Sequence, residues 1–138
     1  MAAKSKVLLV EDTPSLSALY KEYLRDLDIE LIHAANGMSA LDLINKHHFE
    51  LMLLDLNLPD ISGMQVLRKM VEGNRMIATI IISANNAVEK AVEAMRYGAR
   101  DYIVKPFSRE RISITVKNML LMVKLEADSK KTGGTGNR

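Results

Sequence analysis

The chain contains no cysteine and no tryptophan, and only three of its 138 residues are proline. Without cysteine there are no disulfides and no thiolate metal sites, which fits a reducing compartment. No stretch approaches the roughly 18 apolar residues that a membrane span requires. The first apolar run, Val7 to Val10, runs straight into two acids, so no secretory leader is expected. Charge of one sign is also missing. Nineteen Lys and Arg stand against 17 Asp and Glu, for a formal net charge of +2. The basic residues are scattered apart from a small cluster near the C-terminus, so composition gives no push toward nucleic acid. One domain with its own core, in the cytoplasm and away from membranes, is the expectation at this length.

What is present is a pair of apolar runs that end in acids. Leu51-Met52-Leu53-Leu54 leads into Asp55, and Val7-Leu8-Leu9-Val10 leads into Glu11 and Asp12. Acids are rarely buried unless something pairs with them, so a carboxylate closing a buried run asks for a reason. Two such strands side by side would form a small acidic hole that wants a cation.

The rest of the chain alternates between strand and helix. Val7 to Val10 is too short for a helix and suits a strand buried on both faces. Thr13 and Pro14 open a first helix, with Thr as N-cap, whose apolar positions run from Leu16 to Leu27 at helical spacing. Ile29 to Ala34 is a second strand. Asn36-Gly37 could mark a hairpin, but Met38, Leu41 and Ile44 follow at helical spacing and favour a loop and second helix. Leu51 to Leu54 is the third strand. Ser62 and Gln65 have capping-box spacing for a helix to about Val71, and Ile77 to Ile82 is a β-branched fourth strand. Asn86 and Glu89 repeat the capping spacing for a helix ending near Gly98; Asp101 to Val104 is a short fifth strand; Ser108 caps a last helix to about Leu125.

Five strand–helix pairs imply an α/β fold, a doubly wound parallel sheet with right-handed crossovers. In such sheets ligands bind beyond the carboxyl ends of the strands, where strand order reverses. In the flavodoxin-like order 2-1-3-4-5 that point lies between strands one and three, the strands that Asp12 and Asp55 follow. Clustered carboxylates repel, by about 4 kcal/mol per contact at 4 Å and an effective dielectric of about 20. A hard divalent ion removes the conflict, and an all-oxygen donor set without cysteine favours Mg²⁺ over zinc. Lys105 ends strand five and Ser83 ends strand four, so both are placed to reach the same rim. A carboxylate can attack phosphorus and form an aspartyl phosphate, a reaction that needs mainly positioning and charge neutralisation.

Plainer readings stand beside these. Asp12 could simply favour the helix that follows it. Ser83 and Asn85 could be ordinary polar residues, and Lys105-Pro106 an ordinary turn, X-Pro being the usual site of a cis bond. His33, His47 and His48 lack partners at ligand spacing and read as surface or loop residues. The nine methionines read mostly as core filler. Asp55 is the hardest to dismiss.

Together, VLLVED, LLLDLNLPDISGM, IIISA and DYIVKPF, in this order and at these spacings, resemble the receiver domain of bacterial two-component response regulators. The resemblance covers roughly residues 5 to 125, giving a receiver domain over 5–126 and a Gly- and Lys-containing linker over 127–138 toward an effector domain. It implies that Asp55 is the phosphoacceptor, and that Glu11 and Asp12 organise Mg²⁺ with the backbone carbonyl of Asn57. It implies that Ser83 and Lys105 meet the phosphoryl group, and that Tyr102 is the aromatic switch residue. The implied donor is a sensor histidine kinase or histidine phosphotransfer protein. The segment AVEAMRYGARDYIVKPF is most similar to receivers of the nitrogen-regulation and quorum-sensing type, found in activators that serve an alternative sigma factor. Nucleic acid would then be met only through a separate effector domain. A receiver from a longer protein and a stand-alone receiver signalling by protein contact both fit.

Two rival classes fit less well. A phosphatase of the haloacid dehalogenase type carries a second Asp two residues after its nucleophile, and here that position is Asn57. A flavodoxin-like electron carrier needs a phosphate-binding loop after strand one, and none is recognisable. The chain is therefore read as a switch and not as an enzyme. In the last helix, Ile112, Val116, Met119 and Val123 form one face. Ile114, Leu121 and Leu125 form a second apolar edge, suited either to a wide core face or to a homodimer contact in the surface of helix four, strand five and helix five.

Overall fold

A computed structural model describes the backbone of residues 4–136 and the side chains of residues 4–129. Its elements alternate as β1 (Ser5–Val10), α1 (Pro14–Tyr23), β2 (Ile29–Ala34), α2 (Gly37–Lys46), β3 (Leu51–Leu54), α3 (Gly63–Glu72), β4 (Ala78–Ser83), α4 (Val88–Arg96), β5 (Asp101–Val104) and α5 (Arg109–Gly136). The strands form one five-stranded sheet in the order β2-β1-β3-β4-β5, and every neighbouring pair is parallel. The expected fold class and strand order are both observed.

Strand alternation divides the core in two. Leu8, Val10, Met52, Leu54 and Ile81 pack on one face with residues of α2 and α3. Val7, Leu9, Leu51, Leu53, Ile80 and Ile82 pack on the other with Tyr20 of α1, Leu24 at its C-cap, and Ile112 and Val116 of α5. The central strands are buried on both sides, and this explains why they read as unbroken apolar runs without a polar alternation. The register pairs Val10 with Leu54 and Ser83 with Val104, so the residues just beyond those positions emerge on one edge of the sheet.

Three local expectations need correction. The Asn86–Glu89 box does not form: α4 starts at Val88 with Ala87 at its N-cap and no side-chain cap. The chain leaving β4 instead bonds to itself. Ser83 Oγ accepts from the Asn85 amide at 3.1 Å, and Asn85 Oδ1 accepts from the Ala87 amide at 2.9 Å. An Asn that closes such a turn competes with the cap position that follows it. Thr13 occupies the N-cap of α1, but its side chain makes no cap bond. Finally, α5 does not stop near Leu125 but continues to Gly136. Each residue added to a formed helix gains a hydrogen bond for one residue fixed, and Lys124-Leu-Glu-Ala is good helix-forming sequence, so the helix passes Leu125. The glycines at 133, 134 and 136 are poor helix formers, and nothing in the structure explains their place in it. The linker expectation over 127–138 falls partly outside the described residues. Other caps behave as expected: Ser62 and Gln65 form a reciprocal capping box, and Ser108 Oγ accepts from the Arg111 amide at 3.0 Å.

Leu53 is fully buried in the central strand. Leu53→Ala should cost about 2–5 kcal/mol of unfolding free energy. Urea titration should show a lower midpoint at an unchanged slope, whereas a loss below about 1 kcal/mol would mean that the core on this face closes around the gap.

Candidate functional site

The site is assembled at the carboxyl ends of the strands, where order reverses between β1 and β3. Asp55 directly follows β3, and its amide donates to the Val10 carbonyl at 3.1 Å, continuing the ladder one step beyond the strand. Glu11 follows β1, and its amide donates to Ala34 at 3.1 Å. Two adjacent parallel strands thus deliver their terminal acids side by side. Lys105 follows β5, and its amide donates to the Ser83 carbonyl at 2.9 Å. From that anchor its side chain crosses the strand ends.

Lys105 Nζ donates to Asp55 Oδ2 at 2.7 Å and to Glu11 Oε1 at 3.1 Å. Glu11 is 1% exposed and Asp55 5% exposed, so both acids lie out of water and rely on this ammonium. Asp12 completes the group from the exposed side: Glu11, Asp12 and Asp55 each bring a carboxylate oxygen within 4.8 Å of the others. Three carboxylates against one ammonium leave a formal charge of −2, which one divalent cation balances. With only oxygen donors and an open side at Asp12, the residues fit Mg²⁺, an ion that takes few carboxylates and keeps water.

The electrostatics agree with this geometry. Burial pushes the Glu11 carboxyl above its ordinary 4.5, opposed by the Thr13 amide and by Lys105 and assisted by the negative charge of Asp55. Burial alone would lower the Lys105 ammonium, but its hydrogen bond and attraction to Asp55, then to Glu11, outweigh that and raise it. Glu11 is therefore a buried acid that holds its proton unusually well and is relieved by positive charge.

Of the remaining expected residues, Asn57 contacts this group, whereas the side chains of Ser83 and Tyr102 bond to the segment after β4. Ser83 is fully buried at the end of β4. Tyr102 lies half-buried on β5, and its hydroxyl donates to the Asn85 carbonyl at 2.7 Å. Asn57 is exposed two residues beyond Asp55, and its amide donates to Asp55 Oδ1 at 3.0 Å. The Lys105–Pro106 peptide is cis. At Gly63, a Cβ would collide with the Asp55 carbonyl oxygen and the Leu56 backbone, so the start of α3 can close on the segment after β3 only because that residue is Gly.

Two partners of the site were not legible in the sequence. His33, which read as a surface residue, is exposed, yet its Nε2 donates to the Glu11 carbonyl at 2.6 Å. Asp60, in the loop after β3, accepts from the first amides of α2. Burial would raise its carboxyl, but the amides of Met38, Gly37, Ile61 and Asp60 itself draw it below the usual range. Both links span more than 20 positions, and no local pattern announces them.

A doubly wound five-stranded sheet with acids at its switch point and a lysine laid across them defines a signalling switch domain of the phosphoacceptor class. The family model of the response regulator receiver domain matches residues 7–117, and the chain belongs to that family. It is 40% identical over 112 residues to the regulatory protein LuxO of Vibrio cholerae, a match covering 81% of this chain and 25% of the relative. It is 35% identical over 114 residues to the transcriptional regulatory protein MalR of Bacillus subtilis, covering 81% and 48%. The chain therefore spans about a quarter to a half of the curated relatives it matches. Among solved structures, the signal receiver domain of a protein described as a LuxO repressor from Vibrio parahaemolyticus superposes with a TM-score of 0.87. That match has 36% identity and covers 90% of this chain and 95% of the other. A CheY-like receiver from Methanospirillum hungatei gives 0.83 at 26% identity, covering 89% and 98%. Among the described residues no helix is long and apolar enough to cross a membrane.

The Glu11 environment carries a sign. Its raised pKa means that the folded chain binds more protons than the unfolded chain just above pH 4.5, so this group's contribution falls as pH rises through that interval. In magnesium-free buffer, wild type minus Glu11→Gln stability should decline as pH rises from 4 toward neutrality, read from thermal melts at about half-unit steps. A difference that grows with pH would place Glu11 in a stabilising environment and contradict the burial argument.

Proposed function

We propose that Asp55 accepts a phosphoryl group from a phosphohistidine on a sensor histidine kinase or histidine phosphotransfer protein, in a Mg²⁺-dependent reaction. The observation that carries this reading is the Lys105 ammonium held between Asp55 and Glu11, with Asp12 closing the carboxylate group at the switch point. Glu11, Asp12 and Asp55, with the Asn57 carbonyl, would hold Mg²⁺; when bound, the ion supplies charge neutralisation for phosphoryl oxygens. An Asp55 carboxylate oxygen attacks phosphorus, an O–P bond forms, and the P–N bond breaks with its electron pair returning to the imidazole. Lys105 remains beside the new group and pairs with its charge. Ser83, at the end of the neighbouring strand, supplies the hydroxyl that a phosphoryl oxygen engages.

The response passes through Tyr102. Its bond to the Asn85 carbonyl ties it to the loop after β4, so withdrawal of Ser83 toward the phosphoryl group loosens that loop and lets the ring turn inward. Inverting a 1:99 equilibrium needs about 5.5 kcal/mol of differential stabilisation, which a few charge-assisted hydrogen bonds at about 1–3 kcal/mol each can largely supply. The face that changes is already apolar. Val88 and Val92 of α4 are 72% and 47% exposed, Val104 of β5 is 42% exposed, and Ile114, Leu121 and Leu125 of α5 are also exposed. That surface suits an output domain or a homodimer partner. A separate open apolar groove, lined by Leu16, Leu19, Ala84, Lys105, Pro106 and Phe107, shares Lys105 with the site and suits the docking of a phosphodonor.

The kinship with LuxO proteins supports a cytoplasmic receiver whose output is transcriptional, within quorum sensing and through an activator of the alternative-sigma-factor class. A stand-alone receiver acting through protein contacts is the second reading. A phosphatase is disfavoured because Asn57, at the acid/base position, cannot shuttle a proton. In this reading the domain is not an enzyme.

Intact-mass measurement after incubation with acetyl phosphate should show a single Mg²⁺-dependent phosphoryl adduct on the wild type and none on Asp55→Asn. An adduct forming on Asp55→Asn at the wild-type rate would assign the acceptor elsewhere.

A further inference from the structure

The segment between β3 and α3 carries Asn57, and it is pinned at three points. Near its start the Asn57 amide donates to Asp55 Oδ1 at 3.0 Å, and where α3 begins the Gly63 amide closes the loop on the Leu56 carbonyl at 2.9 Å. Between them a single side chain reaches a different element. Asp60 Oδ1 accepts from the Gly37 amide and Oδ2 from the Met38 amide, each at 2.8 Å, across 23 and 22 positions. The first turn of α2 contains no acid of its own, so Asp60 provides the negative charge at its positive end. Contact around the clamp is close. A Cβ on Gly37 would lie 2.5 Å from Cγ1 of Ile61, the residue after Asp60.

A helix cap alone does not need this arrangement. Asn36 already caps α2 in the ordinary way, its Oδ1 accepting from the Ser39 amide at 2.8 Å. What Asp60 adds is a tether from the loop to a helix docked on the sheet. Only Leu58 and Pro59 separate it from Asn57. We infer that Asp60 is a positioning residue for the phosphoacceptor reaction: by clamping residues 57–62 to the start of α2, it holds the Asn57 peptide against the Asp55 carboxylate. With the clamp intact, the Asn57 amide keeps one Asp55 oxygen oriented while Lys105 holds the other. The inference rests on the assignment of Asp55 as acceptor and of the Asn57 carbonyl as a Mg²⁺ ligand.

The test compares wild type with Asp60→Ala, Asp60→Asn and Asn36→Ala in the full chain. Three quantities are read: Mg²⁺ affinity by titration calorimetry, the rate of adduct formation from acetyl phosphate, and thermal stability. Asp60→Ala should weaken Mg²⁺ binding and slow adduct formation. Because Asp60 bonds α2 and not a proposed ligand, the loss of affinity should stay at or below the roughly tenfold that follows from losing a direct outer partner of a metal site. Asp60→Asn retains one acceptor oxygen for two amides and should fall between. Asn36→Ala strips a cap from the same helix without touching the loop; it should lose stability while binding Mg²⁺ as wild type does. Wild-type Mg²⁺ affinity in Asp60→Ala, or equal weakening in Asn36→Ala, would overturn the inference and leave Asp60 a plain cap. If Asp60→Ala does not fold, Asp60→Asn decides alone, and wild-type affinity there overturns the positioning role. An adduct surviving Asp55→Asn would instead remove the acceptor assignment on which the inference rests.

Discussion

The ammonium of Lys105 between Glu11 and Asp55 is the contact on which the site depends. Two buried carboxylates on adjacent strands repel, and each like-charge contact at 4 Å costs about 4 kcal/mol at an effective dielectric near 20. The sheet cannot separate them, because the β1–β3 register fixes where each strand ends. One ammonium at 2.7 Å and 3.1 Å offsets the repulsion without cancelling the group's negative charge. The charge left over fits a divalent cation, which the proposed phosphoryl transfer to Asp55 requires.

Around this contact the fold is arranged so that four strand ends converge. Glu11, Asp55, Ser83 and Lys105 each stand at or just beyond the end of a different strand. Parallel strands put all those ends on one edge, and the order reversal between β1 and β3 opens the gap into which they project. The two faces of the sheet are sealed by separate apolar clusters, so the edge is where polar groups can gather. Next to that edge lies the surface proposed above for signal output, where Tyr102 bonds the Asn85 carbonyl and apolar side chains of α4, β5 and α5 are exposed.

Legibility followed the range of each interaction. Asp55 stood out because an acid closing an apolar run is costly, and that cost is visible within five residues. The capping box at Ser62 and Gln65 was equally local and formed as expected. The matching spacing at Asn86 and Glu89 did not form, because Ser83 and Asn85 had already claimed the neighbouring amides in a turn. Helix α5 passes its expected end at Leu125 because strong helix formers follow there, ahead of the glycines that mark a linker in composition. The bonds of His33 and Asp60 carry no such local mark: each side chain binds backbone groups more than 20 positions away, and a backbone amide or carbonyl has no sequence signature.

The sequence by itself determined the alternation of strands and helices, the parallel arrangement of the sheet and, once the order implied by the receiver resemblance is granted, the set of side chains able to meet at the switch point. These follow from periodicity, from the burial cost of charge and from chain connectivity, which are all properties of the chain in order. Tertiary structure alone decided which oxygen of Asp55 meets Lys105 and which meets the Asn57 amide, how deeply Glu11 is withdrawn from water, and that the loop after β3 is clamped to α2. Those are distances between groups on different elements. They exist only once packing has fixed the elements against one another, and a hydrogen bond or a charge pair depends on a few tenths of an ångström that no spacing along the chain can specify.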